Sequence, residues 1–579
     1  MADIYTGITI GPIYDTISLT SSPAGLWAAS YMFSHISRRL CELIVSEGIV
    51  SSEDDIKSPY FKLSDKYADG IGRYHDRIIF FPKDEATVLD NINAIFDKVT
   101  IEVASAFCDT SNTGGTAGVN IVSSVSSDGT VSSIESKQIE WFKQYLQLHA
   151  LCFPSEGNVI LDSAQYLDAI ELEKSFPTID FTNPINKLFE DEQKNTKIRI
   201  QFSEKFNLEN TPFPLRNAKD KNNHILKDIN GANIKRMPDM EEICGRADED
   251  KNSRVKVNSY YAIVQSDGDR IGEYIKGCKE RGESERDFSK ICLSFCSKAS
   301  EIIQNYGGVT IYAGGDDLLF IAPLVSQKVF KTPETNVAPD TTATAKTSET
   351  ADTAETTKTS DTPEKAEANE NNILSLLIEL RNTFHNYFPA KTLPTPASIT
   401  TDCQNENKPP TLSFGVAIRY YKYPLYEAFD EACALLFQQA KKTRDAVAIS
   451  LRKHSGQDIQ FILENFTTTK ITDELQTLIA MQIDSNVLKS IRGKIWEYKS
   501  LFLLALKLKG EALKSIFDNT FDSKEVHNAK SCDIDATRTL LEMLEGKDNE
   551  NILIMLDNLL RFVRFWSEKG DEDNAETAY

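Results

Sequence analysis

The stretch Gly307-Gly308-Val309-Thr310-Ile311-Tyr312-Ala313-Gly314-Gly315-Asp316-Asp317-Leu318-Leu319-Phe320-Ile321-Ala322-Pro323-Leu324 decides how the chain is read. Two apolar runs flank two glycines and two adjacent aspartates, which predicts a β-hairpin whose tight turn carries a carboxylate pair to the end of a buried sheet. Two carboxylates there repel unless positive charge sits between them. Magnesium, or manganese in its place, suits such a pair because it takes one or two carboxylates, keeps water and draws further ligands from substrate phosphates. Gly314 and Gly315, lacking Cβ atoms, give a nucleotide room to approach the backbone. An aspartate in a Gly-rich hairpin also serves as plain turn chemistry, so the pair alone leaves both readings open.

Working outward, residues 259–275 read Ser-Tyr-Tyr-Ala-Ile-Val-Gln-Ser-Asp-Gly-Asp-Arg-Ile-Gly-Glu-Tyr-Ile, an apolar strand running into Asp267-Gly268-Asp269 and then a helix. Acids at a strand end and in the turn of a nearby hairpin, one helix apart, can converge on a pair of metal ions. That is the palm arrangement of polymerases and nucleotide cyclases, where one metal activates the attacking hydroxyl and the other steadies the leaving pyrophosphate.

Around these motifs, residues 255–455 give the strand before Asp267, a helix at about 287–305 stopped by Gly307, the hairpin, a helix at 372–388, a strand at 411–418, a helix at 424–442 and a strand at 445–451. This β-α-β-β-α-β order is ferredoxin-like. A Thr-, Ala-, Glu- and Lys-rich insertion at about 328–371 has almost no large apolar residue and is expected to be disordered.

The N-terminal part, 1–154, begins with an alternating strand at 4–13, continues with an amphipathic helix at 26–45, and later has a strand at 77–81 and a helix at about 85–106. It reads as an α+β unit whose strands are followed by no carboxylate pair. Residues 109–133 are a Ser-, Thr- and Gly-rich loop, and Trp141 to Phe153 is expected to return to helix. Residues 155–254 form a connecting domain of mixed pattern, helical near 163–175. From 456 to 579 apolar residues recur at helical spacing, as at Ile471, Leu475 and Leu478, which predicts an all-helical end domain with an acidic tail.

Composition narrows the partners. The 579 residues allow roughly three or four domains. A formal net charge of -22 argues against a protein that coats nucleic acid by bulk attraction, so RNA contact is expected to be shared with partner subunits. The ten cysteines show no Cys-x-x-Cys spacing, which favours reduced thiols over a zinc ribbon. Cys292 and Cys296, four apart on one helix face, read as core packing. The N-terminus lacks the features of a signal peptide and no run reaches the length of a membrane span, so a cytoplasmic protein without a membrane partner is expected.

With these residues in hand, the sequence resembles the large palm-containing subunit of type III CRISPR effector complexes, closest to the III-B form. The resemblance rests on Tyr312-Ala313-Gly314-Gly315-Asp316-Asp317, on Asp267-Gly268-Asp269-Arg270-Ile271-Gly272, on Ser413 to Ile418 followed by Tyr421-Lys422-Tyr423-Pro424-Leu425, and on Ala440-Lys441-Lys442 before Ala446 to Ile449. Near the N-terminus, Ile10-Gly11-Pro12-Ile13, Leu26-Trp27-Ala28-Ala29-Ser30-Tyr31 and Asp76-Arg77-Ile78 resemble the family's first palm-like domain.

The resemblance implies two facing ferredoxin-like palm domains with ATP between them and metal acids only in the second. It implies that target RNA, paired with a guide RNA among the other subunits, switches on synthesis of a cyclic oligoadenylate messenger from ATP. Some similar proteins instead join AMP to S-adenosylmethionine, which makes that molecule an alternative co-substrate. Carried over to this sequence, Asp267, Asp316 and Asp317 hold the metal, with the carbonyl of Gly268 a further ligand. Asp269 is either a ligand or the cap of the following helix. Gly314 and Gly315 make room for the nucleotide, and Lys441 approaches the triphosphate or complements a helix end.

The sequence departs from the family in three places. No His-Asp pair of a nuclease domain precedes the first palm, so DNA cleavage is not expected. The family's usual zinc cysteines are missing, and Ser21-Ser22-Pro23-Ala24-Gly25 replaces its arginines before Leu26, which leaves the second substrate open. A stand-alone cyclase of the GGDEF kind and a catalytically silent ribonucleoprotein scaffold are the competing readings.

Overall fold

The computed structural model describes residues 2–65, 70–107, 133–173, 176–178, 216–217, 235–246, 256–278, 281–326, 371–389, 409–508, 511–521, 530–544 and 549–568, with five single residues between 224 and 233. Nearly all of the Ser-, Thr- and Gly-rich loop, the insertion after residue 327 and most of the connecting segment lie outside the described residues.

The molecule is α+β, built on two main sheets. The first uses β1 (Asp3–Gly11), β2 (Ile56–Ser58), β3 (Arg77–Phe80) and β4 (Gln147–Ser155), in the order β2-β3-β1-β4 with every pair antiparallel. Between β1 and β2 come α1 (Ile13–Ser18) and α2 (Pro23–Ser46); α3 (Val88–Ala106) and α4 (Ser133–Tyr145) precede β4, and α5 (Val159–Ile170) follows it. Helix α2 starts earlier than its apolar spacing suggests. The Ser22 hydroxyl accepts from the Gly25 N–H at 3.1 Å and Pro23 stands at the first helical position, so the start is capped on both counts.

One expectation fails here. Trp141 to Phe153 is not a single helix: α4 ends at Tyr145, and Gln147 onward is a strand. Its Leu-His-Ala-Leu-Cys-Phe run is apolar enough for either state. Pairing with β1 along nine positions, Asp3↔Ser155 to Gly11↔Gln147, decides it, because the sheet satisfies backbone groups that a helix would have satisfied locally.

After the short pair β5 (Arg216–Asn217) and β6 (Lys235–Arg236), the second sheet has six strands: β7 (Tyr260–Asp269), β8 (Val309–Gly314), β9 (Asp317–Pro323), β10 (Thr411–Tyr420), β11 (Val447–Arg452) and β12 (Asp458–Leu463). Their order is β12-β11-β10-β7-β9-β8. Its first four strands in chain order lie as β10-β7-β9-β8, the fourth, first, third and second, which is the same arrangement as the first sheet. Helices α6 (Ile271–Lys276) and α7 (Glu285–Tyr306) join β7 to β8, α8 (Ile373–Tyr387) precedes β10, and α9 (Leu425–Leu435) leads through a π-helical segment, Leu436–Ala440, toward β11. The expected helix at 424–442 is therefore continuous in path but widened in its last turns.

Strand alternation sends side chains into two cores. Tyr260, Ala262 and Val264 of β7, with Leu318, Phe320 and Ala322 of β9, join the core under α7 and α8. Tyr261 and Ile263, with Leu319 and Ile321, join a core that also holds Leu26, Trp27 and Ile36 of α2. The second sheet is thus packed on both faces, and one of those faces belongs to the first unit.

The end segment from 456 is not all helix as expected, because β12 pairs with β11 and extends the second sheet; among the described residues six helices follow it: α10 (Ile471–Ala480), α11 (Ser485–Glu497), α12 (Lys499–Leu508), α13 (Glu511–Thr520), α14 (Ser531–Met543) and α15 (Asn549–Ser567). Glu568, just past α15, receives Lys256 at 2.9 Å, Lys453 at 3.2 Å and Arg564 at 3.4 Å, which ties the end of the chain to the second sheet. Among the described residues no helix is long and apolar enough to cross a membrane.

Candidate metal and nucleotide site

Strand β7 delivers Asp267 at its end, and the β8–β9 turn delivers Asp316 and Asp317. Gly314 pairs with Asp317, so Gly315 and Asp316 form a two-residue hairpin loop. Gly315 takes φ +68°, in the left-handed region where a side chain would be strained, while Asp316 has no positive φ. That combination is the signature of a II′ turn.

The three carboxylates each offer an oxygen within 4.8 Å of the others. Burial and the negative charge of Asp267 push Asp316 up to about 7. Burial, then Asp267 and Asp316, raise Asp317 well above the usual carboxylate range. Three partly buried acids this close want a cation, and an all-oxygen donor set is the chemistry of a hard divalent ion such as magnesium or manganese. The donor set therefore fits the group that the motif implies. Gly268 sits against the turn so closely that a Cβ built on it would meet Asp316 Oδ2 at 2.6 Å, so only glycine lets the strand end and the turn acid come together.

Lys441 supplies the nearest positive charge. Its ammonium lies 2.8 Å from Asp267 Oδ2 and donates to the carbonyls of Gly268 at 2.7 Å and Asp267 at 3.0 Å and to Asp269 Oδ1 at 3.1 Å. In this structure the lysine faces the Asp267–Asp269 strand end, and the Gly268 carbonyl is its acceptor. The widened π-helical turn directly before Lys441 delivers it there.

Asp269 lies outside the group of three acids and does not cap the following helix. It is 2% exposed, and its carboxylate accepts from Thr411 Oγ1 at 2.8 Å, Ser413 Oγ at 2.7 Å and the Asp445 N–H at 2.8 Å besides Lys441. With four donors on two oxygens it stands outside the triad, and the following helix begins instead at Arg270 without a side-chain cap. Asp269 is an anchor for Lys441. The sequence assigned no role to the Thr411 and Ser413 hydroxyls, although their i, i+2 spacing on a strand that pairs Thr411 with Asp269 and Ser413 with Asp267 puts both on one side.

Beside the triad lies a cavity of about 670 Å³ between the two sheets. Tyr14, Ser30, Ser34 and Asp76 line it from the first unit, and Gln265, Asp317, Asp430 and Phe437 from the second. The sequence assigned no role to Ser30 or Ser34; two hydroxyls four apart on one helix share a face, which is the signal that marks them. Gly314 and Gly315 do not line this cavity.

Comparison with known proteins then places the fold. Residues 260–336 and 366–448 match the family model of the second palm domain of Cas10/Cmr2. Among solved structures, the apo state of the type III-B Cmr-beta complex aligns with a TM-score of 0.53 at 10% identity, covering 97% of this chain and 81% of that chain. The apo Csm1–Csm4 cassette aligns at 0.45 with 12% identity, and the same cassette in complex with cA4 at 0.42 with 12%; each covers 98% of this chain and 70% of the other. No curated protein matches the sequence. The two matched segments carry the triad and Lys441, so the part of the chain that holds the site is similar to a Cas10/Cmr2 second palm domain.

Proposed function

We propose that the chain is the large subunit of an RNA-guided type III effector complex, working with the other subunits and with guide and target RNA. Target binding switches it on to make a second messenger, cyclic oligoadenylate, from ATP by nucleotidyl transfer. The observation that carries this reading is Asp317, which belongs both to the carboxylate triad and to the wall of the cavity between the sheets. A nucleotide held in that cavity has its reactive end beside the acids.

In the proposed reaction a ribose hydroxyl oxygen bonds to the α-phosphorus of ATP, the bond from that phosphorus to the β-phosphate bridge breaks, and pyrophosphate leaves with the electron pair. Asp267, Asp316 and Asp317 would hold magnesium or manganese, which when bound eases loss of the hydroxyl proton and offsets charge on the pyrophosphate. Among the described residues no histidine lines the cavity, and the proton passes to water. Lys441, braced by Asp269, holds Asp267 in register with the turn.

One observation favours the second product class. Among the described residues the cavity lining includes three carboxylates, Asp76, Asp317 and Asp430, and no lysine or arginine. Burial raises Asp76 from its ordinary value even with Arg77 beside it. Such a wall suits a cationic co-substrate such as S-adenosylmethionine better than a second triphosphate.

A product assay separates these readings. The assembled complex with target RNA and magnesium receives labelled ATP, with and without S-adenosylmethionine, beside an Asp316→Ala, Asp317→Ala control. Oligoadenylate from ATP alone, absent in the control, supports the first reading. An adenylated species only with the methionine compound moves the protein to the second, and no acid-dependent product in either tube overturns both in favour of a scaffold.

A further inference from the structure

We propose that Cys296, on α7 beneath the acid-bearing turn, is a positioning residue that fixes the orientation of the Gly315–Asp316 peptide and so the place of the Asp316 carboxylate. Its Sγ lies 3.3 Å from the Gly315 carbonyl oxygen and donates to it. Cys296 is 0% exposed.

The geometry of two-residue hairpin turns makes this contact matter. Types I′ and II′ differ chiefly by a flip of the peptide between their two central residues, here Gly315 and Asp316, and a flip to I′ would give the second residue a positive φ. Asp tolerates that region better than most residues, so Asp316 by itself does not forbid the flip. Gly315 does not forbid it either: its φ is positive in both turn types, and glycine lets ψ change freely. Ties to its neighbours remain. Ala313 N–H donates to Gly72 O at 2.9 Å, and Gly314 pairs with Asp317, but both act outside the central peptide. The thiol acts on the carbonyl that would swing.

Helix α7 is suited to the task. Cys292, Phe295, Cys296, Ala299 and Ile303 bury one of its faces, so the Sγ has little freedom to leave. Burial, together with the charge of Asp316, raises the Cys296 thiol far above its ordinary value, which keeps it protonated and a donor across the physiological range. Cys296 is thus a packed core residue with a directional contact. The link to metal rests on the reading of the triad given above; the link to the turn does not.

Two measurements on the full chain test it, using wild type, Cys296→Val, Cys296→Ser and Asp316→Asn. Hydrogen exchange of the metal-free proteins reads the turn directly: Cys296→Val should speed exchange in the 309–323 hairpin, and Cys296→Ser, which keeps a donor, should restore protection. Titration with Mn²⁺, followed by the electron paramagnetic resonance of free ion, reads the consequence. Valine should weaken binding roughly tenfold, as loss of an outer-shell hydrogen bond does, while serine stays within about twofold of wild type. Equal exchange in valine and wild type overturns the positioning role whatever the metal does. Faster exchange in valine, with no Mn²⁺ binding in wild type, upholds the turn contact and overturns the metal reading. A valine variant that loses protection over the whole chain, with a serine variant that does the same, also overturns the proposal, because a donor at that position would then have rescued nothing.

Discussion

The two main sheets share one strand order but use the equivalent connection, the one between the second and third strands, in opposite ways. In the second sheet it is a two-residue turn, Gly315-Asp316, that carries one acid of the triad and leads directly into another, Asp317. In the first it is residues 59–76, and what it reaches is the other unit: Tyr60 N–H donates to Ser289 Oγ at 2.6 Å, and Gly72 O accepts from Ala313 N–H at 2.9 Å. Arg286 of α7 answers with hydrogen bonds to the carbonyls of Glu53, Ile56 and Phe61. The strand ends differ as well. β7 ends in Asp267-Gly268-Asp269, and β1 ends in Ile10-Gly11 with no acid. One topology therefore carries the acid triad in one copy and a contact with the other unit in the second, and turn length with two or three residues makes the difference.

If that division of labour holds, substitutions in the second sheet's turn should cost activity out of proportion to stability. Asp316→Ala with Asp317→Ala should bring labelled product to background in the assembled complex while the chain still folds. A product yield near wild type would mean that the turn is not the chemical end. Next in size, Asp269→Ala takes one of the two carboxylate partners of Lys441 and leaves the Thr411, Ser413 and Asp445 donors without their acceptor, and should lower unfolding free energy by roughly 3 kcal/mol, read from the urea midpoint.

An effect of similar size runs in the opposite direction. Asp316 has its folded value raised to about 7, so its ionised form is disfavoured in the native state. The penalty is absent below the ordinary carboxylate range, grows as pH rises through about 4 to 7, and is complete above that. Metal-free protein should therefore lose stability over this window, and Asp316→Asn in chelator at pH 8 should be more stable than wild type by on the order of 3 kcal/mol. At pH 4 the two should melt together; a gap that persists there would place its origin outside ionisation. Smallest, Arg286→Ala removes the charged grip on the first sheet's connection and should cost about 2 kcal/mol, with faster proteolysis near residues 53–61 as the local signature.

The same contrast explains what the sequence could and could not tell. The second sheet was legible because β7, β8, β9 and β10 are dense apolar runs bounded by Gly, Asp or Pro, and the hairpin is written in consecutive residues. Asp267, Asp316 and Asp317 could be named because each sits at an element end. Strand β4 was not legible, since its identity depends on β1 more than a hundred residues away. Asp269 was ambiguous for the same reason: the Thr411 and Ser413 hydroxyls that claim it are 142 and 144 residues distant. Lys441 could be picked out, yet its partners could not, because a lysine facing a phosphate and a lysine bracing a strand end look alike in one dimension. The cavity, built from two units at once, has no sequence signal beyond scattered hydroxyls.

Strand β8 is the outermost member of its sheet, and the isolated bridge from Gly72 to Tyr312 lies along its open side, with α2 packed close by. An open strand edge is a template for pairing with other chains, and proteins guard such edges. Here the guard is the first unit. Severed from it, the second sheet would present a Val-Thr-Ile-Tyr-Ala edge ready to recruit another copy of itself, so the unit that holds the acid triad depends on the sheet that has none of the three to keep that edge covered.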